Sequence, residues 1–175
     1  MYDLIIKPNI GIGTLHIGMN PQEILKALTY ELSKIVEISK EDITLSEENE
    51  EDGFSIRYLY NSNFFMVRYK DDKAIEISVD NEISKCMNVL YDDIDVFKTT
   101  AEQIVNRLSK TSELEYDLDN ELLSTDYNFK DIGIRFWREE PFHESLLSDK
   151  EYMEQMADVI DEMKQYLYFQ IITVR

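Results

Sequence analysis

Histidine is the side chain best suited to move a proton near neutral pH, and it is a frequent metal ligand. The chain holds two. His16 lies in Gly13-Thr-Leu-His-Ile-Gly18 among apolar neighbours, and His143 in Pro141-Phe-His-Glu144. Neither has a second histidine near it in sequence. The spacing therefore favours ordinary structural or surface histidines over a general base or a metal site. The Gly-Xaa-Ser-Xaa-Gly nucleophile motif is absent. Cys86 follows Lys85, a neighbour able to favour the thiolate. With no histidine beside it in sequence, a lone cysteine is expected to be a small packing residue.

Two further patterns fail a chemical test. Gly11, Gly13 and Gly18 superficially suggest a phosphate loop, but such a loop offers helix-opening backbone amides and usually a lysine. Here the following helix opens with Asn20-Pro21, and proline removes an amide, so nucleotide binding is discarded. Tyr91-Asp-Asp-Ile-Asp95 gathers three carboxylates that, with Glu82 or Glu102, could attract a hard cation. It lacks the spacing of a calcium loop, and acidic turns are common in so acidic a chain. No metal, cofactor or catalytic residue is expected.

Aromatic residues are the stronger signal. Tyr58, Tyr60, Phe64, Phe65 and Tyr69 cluster in one region, and Phe136, Trp137, Phe142, Tyr166, Tyr168 and Phe169 in another. Successive strand residues face opposite sides, so these side chains cannot all enter one core. Either both sheet faces are covered, or one aromatic-bearing face meets a partner. Tyrosine and tryptophan among carboxylates make good protein-binding anchors. Tyr58, Tyr60 and Trp137 are therefore candidate partner-binding residues, together with Glu47, Glu48, Glu50, Glu51 and Asp52 of an acidic stretch read as a solvated loop.

The elements that must position them follow from pattern. Asn20-Pro-Gln-Glu23 reads as a cap, a first-turn proline and a capping box. The stripe Ile24, Leu25, Leu28, Leu32, Ile35 and Val36 follows it. Thr99-Thr-Ala-Glu102 and Ser148-Asp-Lys-Glu151 open two further predicted helices. Tyr152, Met153, Met156, Val159, Ile160 and Met163 give the last its stripe. Segments 54–60, 64–69 and 74–79, separated by turn signals, read as an antiparallel meander. Further strands are expected at 2–6, 13–17, 127–129, 132–138 and 166–174. The expected fold class is α+β: an antiparallel sheet with about three helices packed against it, in two degenerate helix-plus-meander halves.

Composition narrows the function classes. The 175 residues suit a single domain, 1–175, with 43% hydrophobic residues. A net charge of −18 argues against nucleic-acid binding, which needs basic side chains. No run of apolar residues is long enough for a membrane helix, and the opening Met1-Tyr-Asp-Leu-Ile-Ile-Lys7 carries no secretory pattern, so a cytoplasmic location is expected. One cysteine precludes an internal disulfide.

The segment Ile17-Gly-Met-Asn-Pro-Gln-Glu-Ile24 resembles a Leu-Gly-Met-Thr-x-x-Glu-Val helix opener. That opener occurs in β-lactamase inhibitory proteins and in small outer-membrane assembly lipoproteins. The same segment resembles a set of bacterial intracellular proteins that includes immunity proteins against polymorphic toxins. Asp95–Glu102 and Ile132–Glu139 look like later parts of that set. The matching pieces span about a quarter of the chain. The export signal, lipidated cysteine and disulfides of the exported relatives have no counterpart here. The resemblance implies a helix-against-sheet fold and protein binding, and it transfers no catalytic residue. The leading expectation is a non-enzymatic immunity-type inhibitor whose partner is a basic toxin domain. The alternatives are a small hydrolase-like enzyme using His16 or His143, and a subunit that self-associates through Tyr166–Val174 as an edge strand.

Overall fold

The computed structural model describes the chain from Met1 to Arg175, the side chain of Asn63 excepted. It is an α+β fold with two sheets and four α-helices.

The chain opens with β1 (Tyr2–Lys7), a small hairpin of β2 (Gly11–Ile12) and β3 (Leu15–His16), and α1 (Pro21–Leu32). The Asn20 side chain accepts from the amides of Gln22 and Glu23, both at 3.0 Å, and Glu23 accepts from the Asn20 amide at 2.8 Å. Both halves of the expected capping box are thus in place. α1 ends at Leu32, short of the expected Ile35 and Val36, which lie in the turn beyond it.

Four strands follow as a continuous meander: β4 (Thr44–Glu50), β5 (Gly53–Tyr60), β6 (Asn63–Lys70) and β7 (Lys73–Asp80). After a 3₁₀ turn, β8 (Met87–Tyr91) returns to pair in parallel with β1, and β9 (Ile94–Asp95) completes that five-stranded sheet. α2 (Ala101–Leu108) precedes β10 (Leu114–Tyr116), β11 (Asp126–Phe129) and β12 (Ile134–Trp137).

The expected third helix begins one residue beyond its predicted Ser148–Glu151 box: Ser148 ends a 3₁₀ turn, and Asp149 is the cap, its carboxylate accepting from the Tyr152 amide. It then breaks into α3 (Lys150–Gln155) and α4 (Ile160–Met163). No residue of either piece is buried, and although Tyr152 meets the Phe142 ring, the apolar stripe gains too little tertiary support for a continuous helix.

The last strand, β13 (Ile171–Val174), corrects the edge-strand expectation. It lies inside the eight-stranded sheet, hydrogen-bonded to β12 on one side and β7 on the other, in the order β10-β11-β12-β13-β7-β6-β5-β4. The strand is shorter than the expected 166–174: Lys164–Leu167 forms a 3₁₀ turn, and only Ile171–Val174 enters the sheet, where its central place accounts for its apolar residues.

One face of this sheet carries the core. Ile56, Tyr58, Phe65, Val67, Ile77, Val79, Ile172, Val174, Ile134, Phe136, Tyr127 and Phe129 alternate inward across the strands. They join Ile24 and Leu28 of α1, Ile104 and Val105 of α2, and Leu4 and Val89 of the smaller sheet in one continuous cluster. Gly13 shows how closely the small hairpin sits on α1. Its φ is +59°, and a Cβ there would lie 2.5 Å from Leu4 Cδ1 and 2.7 Å from Glu31 Oε1. Glu31 is buried, and its Oε1 accepts from the Thr14 amide at 2.7 Å, pinning the hairpin to the helix.

Candidate binding surface

Because side chains alternate, the residues between those core positions project from the opposite face of the large sheet. The register aligns them in rows. One row runs Asp126, Trp137, Ile171, Asp80, Phe64, Leu59, Thr44. The next runs Asn128, Arg135, Thr173, Ser78, Met66, Arg57, Ser46. α1 and α2 both pack on the other side, where the Tyr58 hydroxyl approaches the Pro21 carbonyl and α2 borders Tyr127. Trp137, Ile171, Phe64, Leu59 and Met66 remain partly open to solvent.

This face has the composition of an interface. Four of the six arginines project from it, and arginine and aromatic residues are the types enriched where proteins meet. Three of the four are held by carboxylates. Arg135 forks onto Asp126, Arg68 lies 2.6 Å from Glu50, and Arg175 reaches Glu76 at 4.0 Å. Arg57 instead lies over the Phe64 ring, 5.1 Å from its centroid, and is exposed. At the floor of the face, Ser78 and Thr173 share a hydroxyl hydrogen bond of 2.8 Å. Asp80 sits between Ile171 and Phe64 and is nearly buried. Burial pushes its carboxyl up to about 6, and the nearby Glu82 charge adds to that, while amide hydrogen bonds from Phe64, Glu82 and Ile83 partly offset the rise.

The candidate residues separate cleanly. Trp137 belongs to the open face and is partly exposed. Tyr60, at the end of β5, is also partly exposed and packs against the core margin. Tyr58 is corrected: it alternates with Ile56 on the core face and is 1% exposed. Its hydroxyl meets that of Tyr69 at 2.5 Å, and burial pushes it up to about 12. The same burial raises the Tyr69 hydroxyl further. Tyr58 therefore secures α1 to the sheet and offers a partner nothing. Glu47, Glu48 and Glu50 are solvated as expected but belong to a strand, β4, where a loop was expected, and Glu51 and Asp52 form its turn into β5. Full pairing with β5 makes this stretch regular despite its charge.

The catalytic candidates are dispersed. His16 lies in β3 with its Nε2 buried and without a hydrogen-bond partner, while His143 Nδ1 meets the Ser145 hydroxyl at 2.6 Å after β12. The Cys86 thiol donates to the Ile83 carbonyl at 3.3 Å, and burial pushes its pKa up. Lys85 turns to Glu82. In the 91–95 turn, Asp93 is taken by Arg107 and Asp95 by Lys98 at 3.1 Å. Among the described residues no cluster of three or more histidine, cysteine or carboxylate side chains could hold a metal ion. Nor, among the described residues, is any helix long and apolar enough to cross a membrane.

One residue of consequence escaped the sequence reading. Arg138 is 1% exposed. Its guanidinium donates to the carbonyls of Phe142 (2.7 Å), Ser124 (3.3 Å) and Leu122 (3.3 Å) and to the Tyr127 hydroxyl (2.6 Å). It thereby ties the segments flanking β11 and β12 together beside Trp137. The only signal was its place in the alternation Ile134-Arg-Phe-Trp-Arg138, which puts it on the core side.

Comparison with family models, with curated proteins and with solved structures finds no match for this chain.

Proposed function

We propose that the protein is a non-enzymatic binding protein, an immunity-type inhibitor acting in the cytoplasm that covers the working surface of a basic protein toxin. The observation that supports this reading is the open face of the large sheet. It carries Trp137, Phe64, Leu59 and Arg57 and is bordered by the acidic strand β4. The mechanism is steric. Carboxylates of β4 accelerate encounter with a basic surface, and the aromatic row supplies desolvated contact once the partner has docked.

The test uses the tagged protein as bait in a lysate of its host at low and moderate salt. The expected result is one stoichiometric basic partner, weakened by Trp137→Ala and, in a salt-dependent way, by reversing the charges of Glu47, Glu48 and Glu50. Recovery of no specific partner at either salt, or of one indifferent to both changes, would overturn the reading.

A further inference from the structure

We propose that β4 is a docking edge that receives an extended basic strand from the partner, lengthening the eight-stranded sheet by one strand. The proposal rests on the binding function above and specifies its mode.

Sheet edges present unpaired backbone groups, and proteins blunt them by keeping edge strands short. Three of the four edges here follow that rule: β3 and β9 have two residues each and β10 has three. The fourth is long and is guarded by charge alone, which repels a like strand but leaves the edge open to one of opposite charge. β4 pairs with β5 through seven consecutive residues, Thr44 to Glu50, with no irregularity in register. In an antiparallel ladder, alternate residues of such a strand turn their N–H and C=O groups outward. Among the described residues no protein group bonds to the outward set of β4. The strand also overhangs the core. Leu45, Glu47 and Asn49 lie on the core side of the sheet, yet all are exposed, Leu45 at 49%. All seven residues of β4 are exposed, and β4 is the outermost strand of its sheet.

Charge selects the occupant. Glu50 is held by Arg68 and Asp52 by Lys70 at 2.6 Å, but Glu47, Glu48 and Glu51 have no cation within 4.0 Å among the described residues. Ser46, Glu48 and Glu50 line one side of the edge and Glu47 the other. A strand carrying lysine or arginine at alternate positions places its cations beside these carboxylates while its backbone completes the ladder. A second copy of β4 would set like charges opposite one another, which disfavours self-pairing.

The probe is a seven-residue peptide alternating lysine with threonine, titrated against the intact protein. Two control peptides accompany it. In one, glutamate replaces lysine; in the other, alternate amides are N-methylated along one edge. The expected result is saturable binding of the lysine peptide, no binding of the glutamate peptide, and weakening of about tenfold on N-methylation of one edge but not the other. Slowed amide exchange should appear along residues 44–50. The triple reversal Glu47→Lys, Glu48→Lys, Glu50→Lys should transfer preference to the glutamate peptide while keeping the sensitivity to N-methylation. Absence of binding, or binding indifferent to N-methylation of either edge, would overturn strand addition. If the lysate bait captures a basic partner under those same results, the inhibitor reading survives and only its mode falls. If the peptide adds as a strand but the bait captures nothing, the reverse holds.

Discussion

Replacing Arg138 by methionine isolates the contribution of a buried cation that has no carboxylate partner. The substitution keeps most of the side-chain volume and removes the fork. The Tyr127 hydroxyl retains its own acceptors, the carbonyls of Glu121 at 2.6 Å and Ser124 at 2.9 Å, and Ser124 retains Tyr127. Leu122 lies in an exposed turn, where water can replace the guanidinium. The loss therefore concentrates on the two short bonds, to Phe142 and Tyr127. A hydrogen bond to a charged group contributes about 1.5–3 kcal/mol, so the pair is worth about 3–6 kcal/mol. Freeing the guanidinium from its desolvation cost offsets part of this, leaving an expected net loss of about 3 kcal/mol. In a chain of this size that lowers the melting temperature by about 6–12 °C. The single tryptophan, Trp137, precedes Arg138 and gives the fluorescence signal for a urea titration. Arg138→Lys restores the charge but not the planar fork and should fall between the two. A methionine variant within about 0.5 kcal/mol of the parent would refute the argument, since the carbonyls would then need no internal donor.

Asp80 gives the stability a pH dependence of defined sign. Its carboxyl is pushed up from 3.8 to about 6 in the folded state, so the native protein holds that proton more tightly than the unfolded chain. Stability should therefore fall as pH rises between about 4 and 6, and Asp80→Asn should remove that slope. An unchanged slope in urea midpoints across this range would show that another group is responsible. At Gly13, alanine meets both a positive φ and the Leu4 and Glu31 side chains. Gly13→Ala should cost about 2 kcal/mol or more and weaken amide protection at Thr14. Parent-like thermal melting would mean that the hairpin shifts freely off α1.

What the sequence reveals depends on how local its causes are. The capping box at Asn20 and Glu23 acts within four residues, and the helix begins where it says. The turns between β5, β6 and β7 lie between strands that pair with their neighbours, so that meander was readable as well. Tyr58 was misread because aromatic content does not say which face of a strand is covered; only the helix packed over Ile56 and Tyr58 decides that. The helix at 150–163 was expected whole because its stripe is periodic, but periodicity supplies no partner for the stripe. The solvated character of 47–52 was legible, whereas its pairing with β5 was not, since carboxylate-rich text resembles a loop. β13 and the parallel β1–β8 pair depend on residues far apart in the chain, and no local pattern announces them. For Arg138 the strand alternation indicated the core side but not the role, since its acceptors, backbone carbonyls and the Tyr127 hydroxyl, come from several separate segments.

The central place of β13 has a consequence for how the protein is made. Ser78 and Thr173, which meet across the β7–β13 seam, are 95 positions apart. During synthesis β4 to β7 can fold as successive hairpins while β7 still shows a bare inner edge bearing Ile77 and Val79. At ordinary elongation rates of about 5–20 residues per second, that edge waits on the order of 5–20 s for its neighbour. Until then the nascent chain carries a sticky, unsealed seam, and β13 acts as the zip that closes it. Slowing translation between residues 80 and 171 should thus raise the yield of aggregates without altering a single contact of the finished molecule.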